Sequence, residues 1–140
     1  MTRWAIVGTG PLVALLDRRE RHHAWAVEQV RTVVPPLLVC EPVLVEACFL
    51  LARLPGAEDA LFGPTEKGAL RIAFHLEEHP GEIKALREKY RYRPISLADA
   101  CVVRMAELFG DHHVFTPDSD FTVYRKHGRK LLSLIHPRRE

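Results

Sequence analysis

Short apolar runs alternate with helical stretches along this 140-residue chain, and that alternation limits its fold more than any other feature. Residues 4–7 are a brief apolar run that stops at Gly8-Thr9-Gly10-Pro11, as a buried strand feeding a turn does. Pro11 suits the first position of a helix, and Leu12, Leu15 and Leu16 give that helix an apolar face. Residues 17–21 (Asp-Arg-Arg-Glu-Arg) break the pattern and read as a loop. A helix from 23 to about 32 packs through Trp25, Val27 and Val30. Residues 37–40 make a second strand. Pro42 then starts a helix with Val43, Leu44, Ala47, Leu50, Leu51 and Leu54 on its apolar side, ended by Pro55-Gly56. A short weak helix over 57–62, a strand over 70–74 and a charged helix over 82–90 follow. The best-patterned helix spans 97–109, with Leu97, Cys101, Met105 and Leu108 at helical spacing. Strands at 113–115 and 131–135, the last ended by Pro137, complete the series. The pattern predicts an α/β fold: a three-layer α/β/α domain over 1–140 with a five-stranded, mainly parallel sheet covered on both faces.

One hundred and forty residues fit one domain and can bury a core. The net charge of +2 does not by itself argue for nucleic acid. Its distribution is uneven: residues 121–140 hold six Lys/Arg and one Glu, a net of +5, which leaves the rest at −3. A basic tail beside an acidic body suits a polyanion held near a metal; a solvated last segment fits the same numbers. Cys40, Cys48 and Cys101 form no C-x-x-C pair, so the expectation is free thiols in a reducing cytoplasm. No signal peptide and no run of about twenty apolar residues is visible, so no membrane is expected.

The chemistry-bearing residues are carboxylates. Residues 94–121 place Asp99 at a helix N-terminus and Asp118 and Asp120 just past a strand end. In an open α/β sheet these two places share a rim, where ligand sites form. Clustered carboxylates there are what a divalent metal requires. Glu46, one turn into its helix among Val43, Ala47 and Leu50, is either an exposed edge or an acid aimed at a site. Ser96-x-x-Asp99 also has nearly the form of a capping box, so Asp99 can serve the helix start. Aspartates beside proline and serine commonly build turns; Asp118 is expected to face the rim and Asp120 to close the turn. Gly8-Thr9-Gly10-Pro11-Leu12-Val13 opens like a dinucleotide fingerprint, but Val13 stands where the third glycine belongs. His22-His23 and His112-His113 are adjacent pairs that point apart and read as surface or turn residues. No Ser or Cys has an obvious partnered base.

Taken together, these pieces resemble the PIN-domain nuclease family, in particular the VapC-type toxins of toxin–antitoxin operons. Residues 10–17 look like the family's opening strand-turn-helix, and Glu41-Pro42-Val43-Leu44-Val45-Glu46-Ala47 is similar to its second acidic motif. Ser96-Leu97-Ala98-Asp99-Ala100 resembles the third motif. Phe115-Thr116-Pro117-Asp118-Ser119-Asp120-Phe121, followed by Tyr124-Arg125, resembles the fourth. The resemblance implies a PIN-like fold and a metal-dependent endoribonuclease, a hydrolase using Mg²⁺ or Mn²⁺. Glu46, Asp99 and Asp118 are the matching catalytic and metal-binding acids, with Asp120 a further metal candidate. It also implies an RNA substrate, a cognate antitoxin and a homodimer. Arg125, Lys126 and Arg129 are candidates for RNA contact, because cations near the rim steer RNA.

The chain departs from the family at Gly8, which stands where the first Asp is expected, and at Tyr92 and Ser96, where the family often has acids. Glycine has no ligand atom, so metal binding and cleavage are expected to be weakened unless another acid such as Asp17 compensates. The alternatives are an inactive PIN-like module that binds RNA or an antitoxin, and a small phosphoryl-transfer domain using Asp118.

Overall fold

A computed structural model describes residues 3–139. Its framework is a five-stranded sheet in the order β3-β2-β1-β4-β7, with β1 (Trp4–Val7), β2 (Leu37–Val39), β3 (Leu70–Ile72), β4 (His112–Phe115) and β7 (Leu134–Ile135). All four pairings are parallel, with Ile6 set between Leu38 on one side and Val114 on the other. The chain builds outward from β1 to β2 and β3, then crosses to β4 on the opposite side. The ends of β1 and β4 therefore flank the point where strand order reverses, the usual ligand crevice of such sheets.

The helices are α1 (Thr9–Leu16), α2 (His23–Val30), α3 (Glu41–Leu50), α4 (Ala57–Glu66), α5 (Pro80–Lys89) and α6 (Leu97–Leu108). α6 packs on β1 and β4 and is covered in turn by α5 and α3. It is consequently buried on more than one side: Ala100, Cys101, Val102, Val103 and Met105 are wholly inaccessible. The predicted stripe holds at Cys101 and Met105, but its ends, Leu97 and Leu108, lie partly in solvent. The three cysteines are free thiols. No described helix is long and apolar enough to cross a membrane.

Several boundaries differ from expectation; α3 ends at Leu50, short of Pro55-Gly56, and β3 ends at Ile72. α4 runs past residue 62 to Glu66 and carries Pro64 inside it. Proline removes one backbone donor, yet in the last turn few bonds remain to break, and the Thr65 hydroxyl donates to the Leu61 carbonyl. The strand expected over 131–135 is divided. Lys130–Leu131 (β6) pairs antiparallel with Arg125–Lys126 (β5), and only Leu134–Ile135 joins the main sheet. His127 and Gly128, both at positive φ, make the hairpin turn. β4 opens at His112, one residue before the expected start at 113.

Candidate active site

Local sequence brings the acids to the reversal point. α3 follows β2, so Glu46 in its second turn stands near the carboxyl ends of the strands. The Thr9 hydroxyl, in the first turn of α1, donates to Glu46 Oε1 at 2.7 Å and fixes that carboxylate. α6 precedes β4, which puts its N-terminus on the same rim. Ser96 caps it, its hydroxyl oxygen accepting the Asp99 N–H at 3.0 Å. This is half a capping box. The Asp99 carboxylate does not return to the helix start; its Oδ2 faces the Tyr124 hydroxyl at 3.4 Å.

Beyond β4 the chain makes two side-chain turns in succession. Thr116 Oγ1 accepts the Asp118 N–H at 3.0 Å, and Asp118 Oδ1 accepts the Asp120 N–H at 2.9 Å. The turn is thus closed by Asp118 and not by Asp120, because the side chain two residues earlier is the one in reach. Asp120 instead receives Arg93 Nη2 at 2.8 Å.

Electrostatics show these groups to be neighbours. Burial first, then the charges of Asp118, Glu46 and Asp120, push the Asp99 carboxyl up to about 7. Burial and the carboxylates of Asp99, Asp120 and Asp118 likewise hold the Tyr124 phenol above its ordinary value, so it remains a donor. Asp17 is absent from the charges acting on Asp99. It lies at the far end of α1, about 12 Å down a helix of eight residues, and accepts the Arg19 N–H. It does not compensate for Gly8.

Gly8 sits at the reversal point itself, its N–H bonded to the Phe115 carbonyl at 3.2 Å. Its φ of −86° suits any residue. A Cβ built there would meet nothing closer than the Phe115 carbonyl at 3.7 Å and Thr116 at 3.9 Å, an ordinary contact. An aspartate fits. Gly10 differs, since a Cβ there would come within 3.0 Å of the Pro117 ring.

The donors are all carboxylate oxygens, the set that a hard divalent cation selects, and their mutual repulsion at Asp99 is the charge excess such an ion relieves. Among the described residues, however, no three such side chains are arranged to ligate one ion as they stand. Glu46 also lines a largely apolar cavity of about 420 Å³ with Pro42, Val45, Phe74 and Leu97.

Of the expected RNA contacts, Arg125 is occupied: one guanidinium nitrogen donates to the carbonyls of Thr122, Val123 and Tyr124. Lys126 and Arg129 belong to the hairpin, apart from that cap. Tyr92 is 89% exposed beneath the Arg91 guanidinium. Thr9, Arg93 and Tyr124 escaped sequence reasoning as partners of the acids. The only signal was their nearness to the motifs, since each pairing spans 25 to 37 residues.

No curated protein matches the sequence. The solved Mycobacterium tuberculosis VapC20, a sarcin-ricin loop cleaving toxin, has a similar fold. The TM-score is 0.69 at 22% identity, covering 85% of this chain and 93% of that one. The pattern of the PIN domain matches residues 5–127. This chain belongs to the PIN domain family.

Proposed function

We propose that this protein is a VapC-type endoribonuclease that hydrolyses RNA phosphodiester bonds with Mg²⁺ or Mn²⁺, and that Gly8 impairs it. The observation that carries the reading is the repulsion on Asp99 from Asp118, Glu46 and Asp120 at the reversal point of a PIN-domain sheet. Glu46, Asp99 and Asp118 would hold the ion, with Asp120 beside them. When bound, the ion supplies charge stabilisation at the phosphate and a more acidic water.

The chain's own groups set the stage for that chemistry. Thr9 holds one oxygen of Glu46 and leaves the other open. Tyr124 orients Asp99, and Arg93 holds Asp120 at the edge of the cluster. Asp99 gives up its proton as a cation joins, so proton release and metal uptake are coupled. Four neighbouring acids that do not converge on one ion are consistent with a missing ligand at the reversal point. A VapC-type role carries with it a cognate antitoxin and a homodimer.

The test is Gly8→Asp. Incubated with ribosomal RNA and Mn²⁺, the variant should cleave at least about tenfold faster than the parent, and Asp99→Asn should abolish cleavage in both. Equal rates for parent and Gly8→Asp would show that position 8 is not the missing ligand. Cleavage that survives Asp99→Asn would belong to a contaminant.

A further inference from the structure

Two basic features take no part in the carboxylate site: the loop Asp17-Arg18-Arg19-Glu20-Arg21, and Arg53 just beyond α3. The fold brings them together. α1 and α3 leave the rim side by side. Thr9 meets Glu46 near their starts, and seven to eight residues later Leu16 and Leu54 line one open cavity of about 620 Å³. At 1.5 Å per residue the cavity lies about 10–12 Å from the Thr9–Glu46 pair.

Arg18, Arg19 and Arg53 line this cavity, and all three are exposed. Among the described residues none of them forms an ion pair. Asp17 is the carboxylate in the lining, and its Oδ1 is engaged by the Arg19 backbone; Glu58 and Asp59 of α4 stay outside it. Guanidinium groups match phosphate oxygens with paired donors. Between the acids and the arginines in sequence stands Phe49, 80% exposed, three residues after Glu46 and so on the same face of α3. Its ring offers a base a stacking surface.

A cluster of carboxylates repels the strand it is meant to cut, so affinity must come from cations placed outside it. Resting on the ribonuclease reading above, we propose that Arg18, Arg19 and Arg53 are a phosphate clamp for the RNA strand, about 10–12 Å from the Thr9–Glu46 pair. The strand runs down the α1–α3 seam past Phe49. The clamp sets a minimum substrate length and keeps binding independent of the metal.

The probe is a labelled single-stranded RNA of about twelve nucleotides, followed by anisotropy in EDTA between about 50 and 200 mM salt. Two lost contacts in Arg18→Gln/Arg53→Gln should weaken binding about tenfold and reduce the salt slope by about 1.4. Arg18→Lys/Arg53→Lys should retain the slope, which also shows that the seam still folds. An unchanged slope in the Gln variant, with wild-type binding intact, overturns the clamp alone. Absence of RNA binding by the wild-type protein overturns the clamp and the ribonuclease reading together. Binding of an acidic peptide, but not RNA, that is lost in the Gln variant assigns the pocket to a protein partner and overturns the clamp.

Discussion

At the scale of single residues, Asp99 carries the cost of the cluster. In the folded chain its carboxyl titrates near 7 against an ordinary 3.8. The folded state therefore binds this proton more tightly than the unfolded one. The resulting stabilisation is complete below about pH 3.8 and is lost as pH rises through about 7. Asp99→Asn removes the charge and should stabilise the protein at pH 8 by on the order of 1–2 kcal/mol, after discounting for solvent screening. The gain should shrink toward zero at pH 4. Urea unfolding of both proteins at the two pH values measures it; an equal difference at both would mean the carboxyl is not perturbed. The acids themselves were legible as residue types on the correct elements. Their partners were not, because Thr9, Arg93 and Tyr124 reach them only through tertiary pairing.

At the scale of elements, two glycines in helices should respond oppositely to the same change. Gly10, in the first turn of α1, faces the Pro117 ring at a distance no real Cβ tolerates easily. Gly10→Ala should cost about 1–3 kcal/mol and displace the turn that carries Asp118. Gly81 in α5 has open space around it, so Gly81→Ala should stabilise by up to about 1 kcal/mol through helix propensity. Chemical denaturation separates the two, and a loss at Gly81 comparable to that at Gly10 would rule out the Pro117 contact as the cause. Helix starts were readable from Pro11, Pro42 and Ser96, which mark first turns and caps. The β5–β6 hairpin was not, since strands of two residues hold no periodicity, and Leu131 in β6 is exposed although apolar. The end of α4 was misread because Gly63-Pro64 is ordinarily a stop signal.

At the scale of the whole molecule, the order β3-β2-β1-β4-β7 does what no single motif can. It carries α3, α6 and the loop after β4, which are remote in sequence, to one crevice. Alternation of strands and helices made the sheet legible; the crossing from β3 to β4 on the other side of β1 has no sequence signal of its own. On the proposed reading, metal uptake at these acids displaces the Asp99 proton. Mn²⁺ affinity, followed by calorimetry, should therefore rise up to about tenfold between pH 6 and pH 8 and become nearly flat in Asp99→Asn. A pH-independent affinity in the parent would place the ion elsewhere.

The vacancy beside Phe115 and Thr116 bears on how such a protein can change over generations. Glycine and aspartate codons differ by a single base, and the backbone at position 8 is extended and leaves room for a β-carbon. On the proposed reading, a lineage carrying this chain could pass between a weakened nuclease and a stronger one through that single base, with no steric obstacle at the β-carbon.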